Sequence, residues 1–297
     1  MNRLTAADFD QELLILFDAY VHGDIDRRGF LDRAGKFAVG GLTAAGLLAA
    51  LSPNFAAAQV VAKDDPRLLI VTEEVPSPQG NGTIKVYVAK PASGIQKLPG
   101  VMVVHENRGL NPHIEDVTRR LALEGYVAFA PDALTSLGGY PGDEDRARAL
   151  FAQLDQSKTR QDFLAAADVL QKRPDGSGRI GVVGFCYGGG IAHMLSTQRP
   201  DLAAAVPFYG NHPPVEDAAK VKSPLMIHFA DVDERINAAW PAYSAALQAA
   251  GVAYIAHRYP GTQHGFHNDT TPRYDAAAAK LAWKRTLAFF KEHLPPA

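Results

Sequence analysis

The stretch that most restricts this chain is residues 180–190, which read Ile-Gly-Val-Val-Gly-Phe-Cys-Tyr-Gly-Gly-Gly. A short apolar run ends at Gly184, a tight glycine-rich turn follows, and residues that suit a helix come next. The only cysteine of the chain, Cys186, stands at the centre of Gly184-Phe185-Cys186-Tyr187-Gly188. A glycine two before and another two after a nucleophile is the spacing of a strand-to-helix elbow, in which backbone crowding leaves no room for a Cβ. Such a bend lifts the side chain above a sheet at the start of a helix, where amides and the helix dipole favour a thiolate. The glycines do not follow the G-x-G-x-x-G spacing of a dinucleotide site, and no G-x-x-x-x-G-K-[ST] phosphate loop occurs.

The rest of the chain supplies the sheet that an elbow needs. Leu68–Val75 and Thr83–Ala89 read as two strands joined by a turn at 78–82. Gly100–His105, Tyr126–Ala130, Ile180–Gly184, Ala204–Phe208, Leu225–Phe229 and Val252–His257 are short and apolar with little alternation, as strands buried on both faces are. Helical patterns at Ile114–Glu124, Asp143–Leu154, Lys158–Lys172, Gly188–Thr197, Ala238–Ala250 and Tyr274–His293 separate them. Strand, helix, strand in succession predicts an α/β fold: a mostly parallel twisted sheet of about eight strands, an antiparallel edge from the first two, and helices on both faces.

A thiol nucleophile needs a base, and the base needs an orienting group. After the strand at 225–229 come Ala230-Asp231-Val232-Asp233-Glu234-Arg235, and Asp233 is the favoured acid, with Asp231 next. After the last strand come Gly261-Thr262-Gln263-His264-Gly265-Phe266-His267, where His264 is the expected base and His267 and His257 are its rivals. Residues 134–148 read as a loop and helix start bordering a pocket, with Leu134, Tyr140 and Arg146 as further pocket candidates and Asp143 as a helix cap.

Charge excludes some partners. The 30 Lys and Arg against 32 Asp and Glu leave a net charge of -2, so nothing points to nucleic acid or an anionic membrane surface. A single cysteine excludes an intramolecular disulfide. No histidine pair has the spacing of a zinc protease, His264 and His267 being the nearest, so no metal and no organic cofactor is expected.

The first 58 residues are of another kind. Arg27-Arg28-Gly29-Phe30-Leu31 precedes an apolar run, Lys36 to Leu51, and Ala56-Ala57-Ala58-Gln59 has the small residues of a cleavage site. Paired arginines before a weakly apolar stretch resemble a twin-arginine export signal, although Asp26 and Asp32 flank them. The run is shorter than the roughly 20 residues of a membrane span. The expected organisation is an export leader over 1–58, with helical segments and a face of Leu13, Leu14, Leu16, Phe17 and Tyr20, followed by one catalytic domain over 59–297. Export would engage the twin-arginine machinery and place the protein in the periplasm; a buried helix with an arginine-rich cap would leave it in the cytoplasm.

Taken together, the elbow Gly184-Phe185-Cys186-Tyr187-Gly188-Gly189, the Asp233 loop, Gly261-Thr262-Gln263-His264-Gly265-Phe266 and His105-Glu106-Asn107-Arg108-Gly109 resemble the dienelactone hydrolase family of the α/β-hydrolase fold, over nearly all of 68–293. The resemblance implies a Cys186-His264-Asp233 triad that hydrolyses a small ester or lactone through a thioester. It also implies that Glu106 contacts the resting thiol and that the backbone N–H groups of Tyr187 and Asn107 form the oxyanion hole. Loss of one such donor would cost on the order of 3 kcal/mol. Family members that act on dienelactone hold its carboxylate with arginines, one of them four residues after the histidine. Here that position is Asn268, so either Arg108, Arg146 or Arg235 substitutes or the substrate is a different ester, with His267 and Asn268 as hydrogen-bonding neighbours of the substrate. The rival readings are a thiol peptidase or acyltransferase on the same triad, and a non-catalytic ligand-binding or thiol redox-sensing protein on this fold.

Overall fold

The computed structural model describes residues 4–39, 41–94 and 97–295; Gly40 of the apolar run and residues 1–3 of the leader lie outside the described residues. Before Gln59 the chain forms four short helices: α1 (Gln11–His22), α2 (Arg27–Ala34), α3 (Ala44–Leu51) and α4 (Phe55–Ala58). Each begins on a side chain that accepts a bond from a first-turn amide, namely Asp10, Asp26, Thr43 and Asn54. Asp26, beside the arginine pair, is thus the cap of α2. Leu13, Leu14, Phe17 and Tyr20 form the buried face of α1, with Leu16 at its margin, and pack on Phe30, Ala34, Leu47, Leu48 and Leu51. The apolar run is broken into a 3-10 turn at Gly35–Phe37 and α3. Among the described residues no helix is long and apolar enough to cross a membrane.

The catalytic fold is an eight-stranded sheet: β1 (Leu68–Ser77), β2 (Gly82–Pro91), β3 (Leu98–Val104), β4 (Val127–Pro131), β5 (Gly176–Phe185), β6 (Ala204–Phe208), β7 (Leu225–Val232) and β8 (Tyr254–Gln263). They lie side by side in the order β1-β2-β4-β3-β5-β6-β7-β8. β1 and β2 are the antiparallel edge, β2 also runs antiparallel to β4, and β3 to β8 are parallel. Every described residue of β4 and β6 is buried, which explains their unalternating apolar sequence. This is the α/β-hydrolase fold.

Two helices, α5 (Pro112–Leu123) and α11 (Ala276–His293), cover one face of the sheet through Ile114, Val117, Leu121, Ala282, Phe289 and Phe290. On the other face lie α7 (Gln156–Gln171), α8 (Tyr187–Gln198) and α10 (Trp240–Ala249), which bury Phe163, Leu170, Ile191, Leu195 and Leu247. The short helices α6 (Glu144–Phe151) and α9 (Glu234–Asn237) sit in the loops after β4 and β7. From β3 the chain winds outward to β4 on one side, and β5 lies on the other, so the loops after β3 and β5 part and leave a crevice at their carboxyl ends.

The helical segment is fastened to the catalytic fold at Asp116 of α5. Its carboxylate accepts from Val60 N at 3.0 Å and Val61 N at 2.8 Å, and also from Arg119 and Arg120. Arg119 is fully buried and its other bonds go to the Val61 carbonyl and the Tyr87 hydroxyl. Removing one partner of such a buried group strands the rest. Asp116→Ala is expected to lower unfolding stability by about 3 kcal/mol or more, read as a drop in the urea midpoint.

Candidate active site

The elbow has the geometry its glycines require. Cys186 has φ 56° and ψ -112°, a left-handed backbone that side chains rarely adopt, and it opens α8. A Cβ on Gly184 would lie 1.9 Å from the Gly188 carbonyl oxygen, and one on Gly188 would lie 2.2 Å from that of Val104. Both clashes are with backbone, so no side chain is tolerated at either place. The bend is held by Cys186 N donating to Phe208 O at 3.0 Å and Gly190 N to Cys186 O at 3.2 Å.

Two imidazoles meet the thiol. His264 follows β8, and its Nδ1 lies 2.6 Å from Asp233 Oδ2, both residues being buried. Its Nε2 is buried and has no hydrogen-bond partner of ordinary geometry among the described residues. The second imidazole is His22, the last residue of α1, whose Nε2 stands 3.5 Å from Cys186 Sγ. Its Nδ1 reaches the Asp18 carbonyl at 2.8 Å and the Asp18 carboxylate at 3.3 Å. The two rings meet edge to face with centroids 4.7 Å apart.

Burial disfavours a thiolate here, but the positive charge of His264, and then of His22, outweighs it and brings the Cys186 thiol down to about 5. Burial likewise opposes charge on His264, yet the thiolate and Asp233 raise it to about 10. His22 moves upward for the same reasons, the thiolate and Asp18 overcoming its burial. The arrangement is a thiol between two imidazoles, each backed by a carboxylate, in which the neighbours favour the charged forms.

A cavity of about 380 Å³ opens on Cys186 and His264. Glu106, Asn107 and Arg108 line it from the loop after β3, Tyr140 and Glu144 from the loop after β4, and Asn268 and Arg273 from beyond β8. The amide of Tyr187 opens α8 and so lacks an intrahelical acceptor. The Glu106 carboxylate accepts from Asn268 Nδ2 at 2.8 Å, and His22 rather than Glu106 is the side chain hydrogen-bonded to the thiol. Tyr140 donates to Glu144 at 2.8 Å; buried Arg108 is turned to the Val21 carbonyl, with Glu144 at 3.7 Å.

Four expectations about the pocket need correction: His267, Arg146, Arg235 and Leu134 do not line it. His267 is buried away from the cavity, stacked on Phe185 with centroids 5.1 Å apart and packed on Trp283. Burial, then the charges of His113 and Arg120, depress it to about 3. Arg146 is exposed outside the cavity lining, because the turn of α6 that faces inward carries Ala147 instead. Arg235 is also exposed and outside the lining, and its guanidinium lies 3.0 Å from His22 Nε2. Of the rival groups, Asp231 is taken up by Arg258 at 2.7 Å and Gly261 N at 3.0 Å, and His257 stacks on His228. Leu134 is fully buried against Gly109.

Sequence spacing did not reveal the contribution of the first 58 residues. Phe17, Tyr20, Val21, Arg27 and Phe55 line the cavity, and His22 reaches the thiol. The Nε2 or Nδ1, Sγ and imidazole nitrogen that His22, Cys186 and His264 offer lie within 4.8 Å of one another, a set that suits a borderline-soft cation such as zinc. The neighbouring Arg235 charge opposes that use.

Comparison with known proteins gives the family. The Dienelactone hydrolase family model matches residues 84–294, and a YqhI-like model matches residues 1–38. A putative carboxymethylenebutenolidase of Escherichia coli K12 is 32% identical over 252 residues, covering 80% of this chain and 92% of that protein. The putative hydrolase fragment YghX of the same organism is 51% identical over 114 residues, 38% of this chain and 97% of the fragment. The crystal structure of a putative dienelactone hydrolase from Klebsiella pneumoniae superposes with a TM-score of 0.67 at 29% identity, covering 75% of this chain and 99% of that one.

A thiolate with a depressed pKa reacts with alkylating agents when other thiols are protonated. As the pH falls, the thiolate of Cys186 takes up its proton and reactivity is lost. Its rate of alkylation by iodoacetamide is expected to stay level from neutral pH downward and to fall through a midpoint of about 5, measured by intact mass against pH.

Proposed function

Because the chain belongs to the dienelactone hydrolase family, we propose that it hydrolyses a small ester or lactone with Cys186 as nucleophile, His264 as acid and base, and Asp233 as the orienting acid. The observation that carries this reading is the 2.6 Å bond between His264 Nδ1 and Asp233, on a ring whose Nε2 is left for the thiol at the elbow. In this mechanism Sγ attacks the carbonyl carbon, the C–S bond forms, and the C=O electron pair moves to oxygen. The backbone N–H groups of Tyr187 and Asn107 receive that charge. Collapse breaks the C–O bond, and the leaving alkoxide takes the proton of His264 Nε2. Water then gives a proton to His264 as its oxygen attacks the thioester, and the thiolate departs.

The cavity favours a substrate without a carboxylate. Each guanidinium that lines it has an anionic neighbour: Arg27 has Asp145 at 2.8 Å, Arg108 has Glu144 at 3.7 Å and Arg273 has Asp18 at 2.9 Å. Asn268, where the family's substrate-binding arginine would stand, donates to Glu106. About 380 Å³ accommodates a small aryl ester or a lactone of modest size.

A panel of aryl esters, uncharged lactones, carboxylated lactones and short peptides, assayed with wild type and Cys186→Ala, tests the proposal. The expected result is turnover of the uncharged esters or lactones, reduced by at least about a thousandfold in Cys186→Ala. Equal rates in the two proteins would overturn it. Failure of every ester and lactone, together with reversible oxidation of Cys186, would support the redox-sensing reading instead.

A further inference from the structure

The contact between His22 and the nucleophile has no counterpart in the triad, and it comes from outside the family's own domain, whose match begins at residue 84. We propose that His22, carried by the N-terminal helical segment, is a fourth side chain of the catalytic centre that holds the Cys186 thiolate, and that this segment is part of the working enzyme. The proposal takes from the preceding reading that Cys186 is the nucleophile.

The geometry is that of a placed group. His22 ends α1, and its ring is fixed from behind by Asp18 of the same helix, at 2.8 Å through the carbonyl and 3.3 Å through the carboxylate. Asp18 is fixed in turn by Arg273 Nη1 at 2.9 Å, from the loop after His264. The next residue back, Val21, offers its carbonyl to Asn107 Nδ2 at 2.9 Å and Arg108 Nη2 at 3.1 Å, the loop that borders the expected oxyanion hole. On the far side, Arg148 Nη1 donates to Tyr20 O at 2.7 Å, and the Tyr20 hydroxyl and Arg27 both bond Asp145. The end of α1 is therefore clamped from three loops, and the clamp sets the Nε2 to Sγ distance of 3.5 Å.

Chemically, His22 Nε2–H donates to the thiolate and transfers no proton. It steadies the sulfur before attack and again as the thioester expels it, while His264 carries the protons. The groups that face His22 are Cys186 and His264 from the elbow and the last loop, Asp18 from its own helix, and Arg235 from α9, an exposed guanidinium that also donates to Asn211 Oδ1 at 3.4 Å. Glu106, the carboxylate that the family resemblance assigns to the resting thiol, is held by Asn268 instead, which leaves the sulfur to the imidazole.

The test uses the full chain carrying His22→Ala, His22→Gln or Cys186→Ala, with folding checked by near-UV circular dichroism. The pH dependence of Cys186 alkylation is expected to shift upward by about one unit in His22→Ala, which is about a tenfold slower reaction below the midpoint. His22→Gln, which keeps an N–H donor without charge, is expected to fall between. Ester kcat/KM should drop most at low pH and recover at high pH. An unshifted alkylation profile would overturn the proposal even where Cys186→Ala is inactive; a persistently active Cys186→Ala would instead overturn the nucleophile assignment, and alkylation would still judge the His22 contact. Faster turnover in His22→Ala at every pH would mark the segment as a plug and also overturn it. So would a native enzyme whose chain begins at Gln59, since that form lacks His22.

Discussion

The site depends on one backbone conformation. Holding Cys186 at φ 56° costs on the order of 1–3 kcal/mol, and the fold offsets this from its immediate surroundings. The two backbone hydrogen bonds at Cys186 lock the bend between β6 and the first turn of α8. Gly184 lets the first turn of α8 close onto β5, and Gly188 lets it sit against β3, where a Cβ would meet the Val104 carbonyl oxygen. The same bend puts the sulfur at the amino end of a twelve-residue helix, so the conformation that strains the backbone also supplies positive potential to a thiolate.

A charge buried in this way requires company. Desolvation opposes charge on Cys186, on both imidazoles and on Asp18, and the neighbours offset it. The order in space is what reconciles them: Asp233, His264, Cys186, His22, Asp18 and Arg273 alternate in sign from one end to the other. Asp18 illustrates the balance. Its burial favours the neutral acid, but the bond from His22 and the charges of His264 and Arg273 hold its carboxyl well below the usual carboxylate range. Arg273 is thus a pocket-lining residue whose charge is already engaged, which is why the cavity does not present a free guanidinium at that position.

What the sequence disclosed follows from how local each signal is. The elbow is legible because its glycines flank the nucleophile within five positions, although what forbids a side chain at Gly188 is the distant Val104 carbonyl. The inner strands β4 and β6 are legible because burial on both faces removes alternation, whereas the edge strands β1 and β8 are half exposed. Asp233 and His264 are legible as loop residues after strands, although the choice over Asp231 and His257 needed three dimensions: Arg258 holds one and the sheet holds the other. His267 lies only three residues from His264, yet the positive-φ turn at Gly265 sends it to the opposite side, against Phe185. His22 was illegible because nothing near it in sequence carries a catalytic pattern; its partner is 164 residues away. The periodic face of α1 was visible, whereas the surface that it would meet was not.

The residues of the N-terminal segment whose sequence resembles an export motif are part of its folded structure. Arg27, Arg28 and Phe30 resemble an export motif in an extended chain, but in the folded chain Asp26 caps α2, Arg27 pairs with Asp145, and Phe30 is fully buried. Reading the motif would require undoing that structure. Exposing Phe30 costs about 2–3 kcal/mol, and the half-exposed Arg27–Asp145 pair adds no more than about 1 kcal/mol. Withdrawing α1 as well would also break the Arg273–Asp18, Arg148–Tyr20 and Asn107–Val21 bonds, so the cost of display exceeds that sum. The two states are mutually exclusive all the same. A segment displayed for recognition withdraws His22, Tyr20 and Arg27 from the cavity, and a segment seated on the cavity pairs its first arginine with Asp145 and buries its phenylalanine. Whichever fate the segment meets in the cell, its position therefore decides whether the cysteine faces one imidazole or two.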